Sequence, residues 1–235
     1  MRFKHLMKGL VSPFTARIRG GALQGRRWVI ASGSRFVKGT YEPLQSAAFQ
    51  RHIKAGDVVF DVGAHVGYYT VLSSVLTGPT GQVISFEPVP LNLRYLRRHV
   101  RMNGCDNVRI VEVCVGDRSS TARFDDSHGT GVGHLSADGG LVVRVRAIDE
   151  MVASGEVPVP QFIKVDVEGA ELLVLQGADS ILRKHHPAII LSTHGDDLER
   201  ESRERLSRLG YGVELLEPGV LVGLRQVPAT NNVRP

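Results

Sequence analysis

The sequence predicts an α/β fold with a mainly parallel sheet and helices on both faces. Short apolar runs such as Val58-Val59-Phe60 and Val83-Ile84-Ser85-Phe86 have the length and β-branched character of strands buried on both sides. Amphipathic stretches of helical period alternate with them, as in βαβ units. Two of the runs end on an acid, Asp61 and Glu87, where the chain must leave the sheet. A buried acid is costly unless something nearby uses its charge or its acceptor oxygens. The crevice beyond the carboxyl ends of these strands is therefore the first place to look for a ligand.

A length of 235 residues favours one domain with a sizeable core. Hydrophobic content of 42% and charged content of 23% are globular values. The two cysteines, Cys105 and Cys114, form no C-x-x-C pair, which argues against a disulfide framework or a structural zinc site and suits a reducing cytoplasm. No apolar run approaches the roughly 20 residues that span a bilayer. The basic segment from Met1 to Lys8 lacks the apolar region of a signal peptide, so a cytoplasmic location is expected.

A net charge of +5 and a pI near 9.5 raise the question of nucleic acid. Arg94, Arg97, Arg98 and Arg101, however, recur at helical spacing beside Leu93, Leu96 and Val100, the pattern of a solvated helix face. Arg17, Arg19, Arg26 and Arg27 lack the interleaved aromatics of a single-strand stacking platform. No nucleic-acid partner is expected, and a homodimer is compatible with the sequence.

Residues 1–56 read as an N-terminal extension packed on the core. Arg27 to Ala31 suggests a strand in a hairpin with Arg35-Phe36-Val37, and Pro43 suits the first position of a helix running from Leu44 to Ile53. Tyr41 and Glu42 reach the start of the core and are candidates for touching ligand. Residues 57–227 form the main domain. Strand 58–62 leads into Gly63-Ala64-His65-Val66-Gly67, where the glycines permit a tight turn close to a ligand, and then into a helix. The spacing fails the G-x-G-x-x-G dinucleotide fingerprint. Strand 83–86 ends on Glu87-Pro88, and an acid there can accept both hydrogen bonds of a ribose diol.

Further strands are expected at 108–113, 162–166 and 187–191, with a closing hairpin at 213–216 and 220–224. One helix is expected after Gly169. Another, with Asp197 as its N-cap, runs to Leu209. Thr121–Phe124 and Leu141–Val145 alternate like an antiparallel excursion. The glycine-rich segment 125–140 between them reads as a substrate loop, and 228–235 as a tail.

Asp61–Gly67, Phe86-Glu87-Pro88, Asp149 and the block Ile163-Lys164-Val165-Asp166-Val167-Glu168-Gly169-Ala170-Glu171 resemble, in that order, the signatures of the FkbM methyltransferases. The resemblance covers about residues 39–224. It implies a Rossmann-like class I methyltransferase fold: a seven-stranded, mostly parallel sheet with an antiparallel last strand. It also implies S-adenosylmethionine as donor and a sugar or natural-product hydroxyl as acceptor. Cofactor contacts are then expected from Asp61, Gly63, Ala64, His65, Gly67, Glu87, Pro88, Val115, Gly116 and Asp166.

A hydroxyl acceptor must lose its proton as it attacks, which calls for a general base. Asp166 ends the fourth parallel strand and His194 follows the fifth, so either can serve. Lys164 and Glu168 flank Asp166, and alternation puts Lys164 on the same side as Asp166. Glu171 is expected to orient the helix that follows. Asp166 with Asp196 and Asp197 offers oxygen ligands suited to magnesium, but a helix-cap role for Asp197 argues against a metal, and none is expected. Two alternatives remain: an N- or nucleic-acid methyltransferase, and a non-catalytic binding protein of the same fold. Asp166-Val167-Glu168-Gly169 stands where the first of these would carry an N/D-P-P-Y-type block.

Overall fold

The structure, a computed structural model, describes residues 12–125, 134–135 and 138–226. The substrate loop expected at 125–140 falls largely outside the described residues, and the basic N-terminus and the tail fall wholly outside them.

The main sheet has seven strands: β3 (Val58–Val62), β4 (Gln82–Phe86), β5 (Val108–Val111), β10 (Phe162–Val165), β11 (Ala188–Ser192), β12 (Tyr211–Glu217) and β13 (Val220–Arg225). Their order is β12-β13-β11-β10-β3-β4-β5. Neighbours from β11 to β5 pair in parallel, and β13 runs antiparallel to both β11 and β12. Right-handed crossovers between parallel strands require helices on the faces. These helices are α3 (Tyr68–Thr77), α4 (Pro90–Met102), α5 (Ile148–Ala153), α6 (Glu171–Gly177), α7 (Asp179–His185) and α8 (Asp196–Arg208).

Alternation along the strands feeds two core layers. Phe60, Val62, Ile84, Ile163 and Val165 pack with Met151, Leu175, Leu182 and Leu206 on one face. Val59, Val83, Phe162 and Ile190 pack with Tyr69, Leu72 and Phe49 on the other. Asp149 on α5 accepts hydrogen bonds from the backbone amides of Ser180 and Ile181 at 2.7 and 2.9 Å, so this acid caps the first turn of α7.

The extension is built differently from the expected hairpin. Arg27–Val29 (β2) pairs antiparallel with Thr15–Arg17 (β1). Ser34–Lys38 forms a short helix, α1, that ends on Gly39 in the left-handed conformation. A glycine here is needed because an added Cβ would lie 2.1 Å from the Gly20 carbonyl oxygen. Helix α2 (Pro43–His52) begins on Pro43 as expected. Trp28 is fully buried and stacks on His99 of α4 at 3.6 Å between centroids. His99 accepts a hydrogen bond from Val29 N at Nε2 and donates from Nδ1 to the Val66 carbonyl, which fixes its neutral tautomer. Burial pushes this imidazole down to about 4. Asn103 adds two hydrogen bonds to the backbone of Arg27.

Three smaller expectations are corrected. The helix after Gly169 breaks in two at Ala178, which sits at φ −114, ψ 8, next to Gly177, where a Cβ would lie 1.9 Å from the Gly116 carbonyl oxygen. Asp197 is not the cap of α8: Gly195 holds that position, and Asp197 pairs with Arg200. Strand β5 stops at Val111, and the excursion is a separate sheet of β6 (Cys114–Val115), β9 (Leu141–Arg146), β7 (Ser120–Asp125) and β8 (His134–Leu135).

Candidate active site

Residues 63–67 leave β3 and bend back over β4. Gly63 N and Ala64 N both donate to the Phe86 carbonyl, and His65 N donates to Glu87 Oε2 at 2.8 Å. Gly63 has φ +77, and an added Cβ would lie 1.8 Å from the Asp166 carbonyl oxygen. The ends of β3 and β10 thus cross in contact, and only glycine fits between them.

Around this crossing is a cavity of about 400 Å³, within the range of small-ligand sites. Among the described residues, four non-glycines have positive φ, and three of them, Glu42, His65 and Glu168, line this cavity. Such strain costs about 1–3 kcal/mol per residue and gathers where function demands it. The cavity is therefore marked as the site on backbone geometry alone.

At the β4 end, Glu87 is buried against three donors. Oε1 accepts from Val89 N and Asn92 Nδ2, and Oε2 from His65 N. A carboxylate offers about four lone-pair sites, so acceptor capacity remains. Burial pushes Glu87 up to about 7 against these hydrogen bonds. Val113, Val115 and Phe124 make an apolar wall beside it.

At the β10 end, register sets Lys164 directly beside Asp61, and Asp61 beside Ser85, in one polar row across three strands. Lys164 Nζ lies 3.3 Å from Asp166 Oδ2 and 3.8 Å from Asp61 Oδ1, and donates to the Gly63 carbonyl. Burial opposes its charge, but Asp166, Asp61 and Glu42 outweigh it and hold the ammonium above the ordinary lysine range. Asp61 is fully buried and takes a 2.6 Å hydrogen bond from Thr70. It lies behind the glycine loop and does not line the cavity.

His194, after β11, faces three carboxylates. Nδ1 lies 2.7 Å from Glu171 Oε1, and Nε2 lies 3.3 Å from Glu168 Oε2 and 3.7 Å from Asp166 Oδ1. Glu171 is fully buried at the start of α6 and also accepts from Gly169 N. Its hydrogen bond raises the His194 pKa above the ordinary imidazole value, with Glu168 and Asp166 adding to it against the cost of burial. Burial raises Glu168 in turn. Asp166, Glu168 and His194 could present one ligand atom each to a metal within 4.8 Å of one another. Asp196 and Asp197, the other acids considered for magnesium, are in the first turn of α8 and outside the cavity lining.

Of the expected cofactor contacts, Gly63, Ala64, His65, Glu87, Pro88, Val115 and Asp166 line the cavity, as do Lys164, Glu168 and His194. Asp61, Gly67 and Gly116 do not. Gly67 caps α3 against Leu96, and Gly116 pairs with Arg146. Sequence reasoning missed the link of Glu171 to His194, although its place in the K-x-D-x-E-G-A-E block was visible. It also missed Tyr69, whose hydroxyl donates to Glu42.

The model of the Methyltransferase FkbM domain matches residues 61–213. The hexuronic acid methyltransferase AglP of Haloferax volcanii is 29% identical over 177 residues, 72% of this chain and 71% of its own. The 2-O-methyltransferase NoeI of Sinorhizobium fredii is 27% identical over 174 residues, 63% of this chain and 70% of its own. The crystal structure of methyltransferase FkbM from Methylobacillus flagellatus KT shares the fold with a TM-score of 0.53 at 20% identity, over 94% of this chain and 57% of that one. Precorrin-6y C5,15-methyltransferase from Geobacter metallireducens does so with a TM-score of 0.54 at 17% identity, over 79% of this chain and 90% of that one. With a family model spanning most of its length and the strand order of a methyltransferase sheet, the chain belongs to the FkbM family of S-adenosylmethionine-dependent methyltransferases.

Proposed function

We propose that the chain transfers a methyl group to a saccharide hydroxyl, with His194 as general base. The observation that carries this reading is the Glu171–His194 pair: a buried acid holds Nδ1 at 2.7 Å and leaves Nε2 toward the cavity. A base oriented in this way is what a hydroxyl acceptor requires and a carboxylate acceptor does not. Asp166, Glu168 and Glu171 beside it also disfavour an anionic acceptor group. The name of one relative, hexuronic acid methyltransferase, supports a sugar acceptor, and that of the other, 2-O-methyltransferase, supports transfer to oxygen.

The residues present fit S-adenosylmethionine. Glu87 keeps an acceptor site for a ribose hydroxyl, the wall of Val113, Val115 and Phe124 suits an adenine, and the carboxylates near Gly63 suit a cation. When bound, this cofactor supplies an activated methyl on a sulfonium, so no protein nucleophile is needed. The protein positions the acceptor, which is the larger part of the work. His194 Nε2 takes the hydroxyl proton as the acceptor oxygen attacks, and Glu171 stabilises the imidazolium that forms. Asp166 and Glu168 then offer the proton a route to solvent, since both are partly exposed.

The test is methyl transfer from isotopically labelled donor to a panel of neutral sugars and uronic acids, followed by mild alkali. Label retained as an alkali-stable ether supports the hydroxyl reading. Label released from an ester would sink it.

A further inference from the structure

Glu42 has no part in the proton transfer above. It belongs to the extension, outside the residues that the family model matches, yet it lines the cavity. Its backbone sits at φ 40, ψ 65, in the left-handed region. That conformation is unfavourable on two counts, because Glu42 carries a Cβ and precedes Pro43, where extended backbone is preferred. Something must fix it there, and Tyr69 does: its hydroxyl donates to Oε2 at 2.7 Å, while the ring of Tyr41 packs beside that of Tyr69 at 6.2 Å between centroids. Burial, and then the charge of Glu42, push both phenols up, so both stay protonated.

The place of Glu42 follows from strand order. Along the carboxyl edge come β11, β10, β3 and β4, and hence His194, Asp166, the glycine loop and Glu87. A ligand with its nucleoside on Glu87 extends across Gly63 toward β10. There it meets Tyr69, whose ring is 5.4 Å from Lys164 Nζ, with Glu42 on the hydroxyl of that tyrosine. Lys164 is already flanked by Asp61 and Asp166. Glu42 takes no ion pair among the described residues. Asp61, an acid first expected to contact the cofactor, is fully buried and held by Thr70 and Lys164.

We propose that Glu42 binds the ammonium group of the methyl donor's amino-acid moiety, with Tyr69 holding its carboxylate in place. This rests on the methyltransferase reading above. It makes the extension a working part of the cofactor site and assigns Asp61 to supporting Lys164.

The experiment compares S-adenosylhomocysteine with 5′-methylthioadenosine, which has the nucleoside and sulfur but no ammonium, by calorimetry on the full chain. Wild type is expected to bind the first more tightly. Glu42→Gln should weaken it by roughly tenfold to a hundredfold, the worth of a hydrogen bond between charged groups, and leave methylthioadenosine binding unchanged. Tyr69→Phe should shift the same preference in the same direction by less. Unchanged S-adenosylhomocysteine binding in Glu42→Gln, or equal loss of both ligands, overturns the assignment. Wild type binding neither ligand would refute the donor site itself, a separate failure that removes the assignment with it.

Discussion

Glu171 Oε1 lies 2.7 Å from Nδ1 of His194, with the acid fully buried and the imidazole 34% exposed. The pair joins the fixed interior of α6 to the open cavity. It holds the ring in one tautomer, and it raises the affinity of the ring for a proton.

Activity should therefore need deprotonated His194 and rise with pH through a value above the ordinary imidazole pKa. Glu171→Gln removes the leading cause of the raised value, so the acid limb of the kcat profile should move to lower pH as kcat falls. His194→Ala should cost roughly a hundredfold or more in kcat, the usual worth of a general base. A profile unmoved by Glu171→Gln would show that His194 is not the titrating base.

Glu87 titrates at about 7 because of burial. Its carboxylate form is the acceptor for a ribose hydroxyl, so S-adenosylhomocysteine affinity should fall as pH drops below about 7 and level off above it. Glu87→Gln should bind weakly at every pH, with the dependence lost. Calorimetry at pH 6 and pH 8 reads both effects.

Gly63→Ala should be among the most damaging single-methyl changes in the chain. The new Cβ would lie 1.8 Å from the Asp166 carbonyl oxygen at a φ of +77. Parting β3 from β10 should cost more than the 1–3 kcal/mol or so of ordinary overpacking, read as a lower midpoint in urea. It should also abolish cofactor binding in any folded fraction.

His99 gives the fold an acid weakness. Its value is depressed to about 4 in the folded chain. As pH falls below the ordinary imidazole value, the unfolded chain binds the proton first. Stability should drop by about 3 kcal/mol in total as pH falls toward 4, and level off below it. His99→Phe keeps a ring against Trp28 but leaves Val29 N and the Val66 carbonyl without their partner. It should be about 1–3 kcal/mol less stable at pH 7, with that part of the pH dependence gone. Urea unfolding across pH separates the two proteins.

Strand-end acids, glycine turns and alternation were enough to read the parallel core and the closing hairpin from the chain, and the family resemblance named part of the cavity wall. What escaped depended on tertiary contact. Arg35-Phe36-Val37 has the composition of a strand, but Gly33 and Gly39 close it into a helical turn, and the partner of β2 is only three residues long. Asp197 looks like a cap, yet Gly195, two residues earlier, takes that position. Glu171 reads locally as a helix-start acid, and no spacing rule reaches His194, 23 residues on. Asp61 stands where a ligand contact is expected, but the register beside Lys164 turns it inward.

The stacking of Trp28 on His99 ties β2 to α4, and the imidazole also holds Val66, inside the glycine loop. A boundary drawn where the family model begins, at residue 61, would cut across that bond. The family segment and the functional unit are thus not the same object. A trimmed version of this enzyme would lose the brace under its own cofactor loop, and chimaeras between family members should exchange the first sixty residues and the loop together.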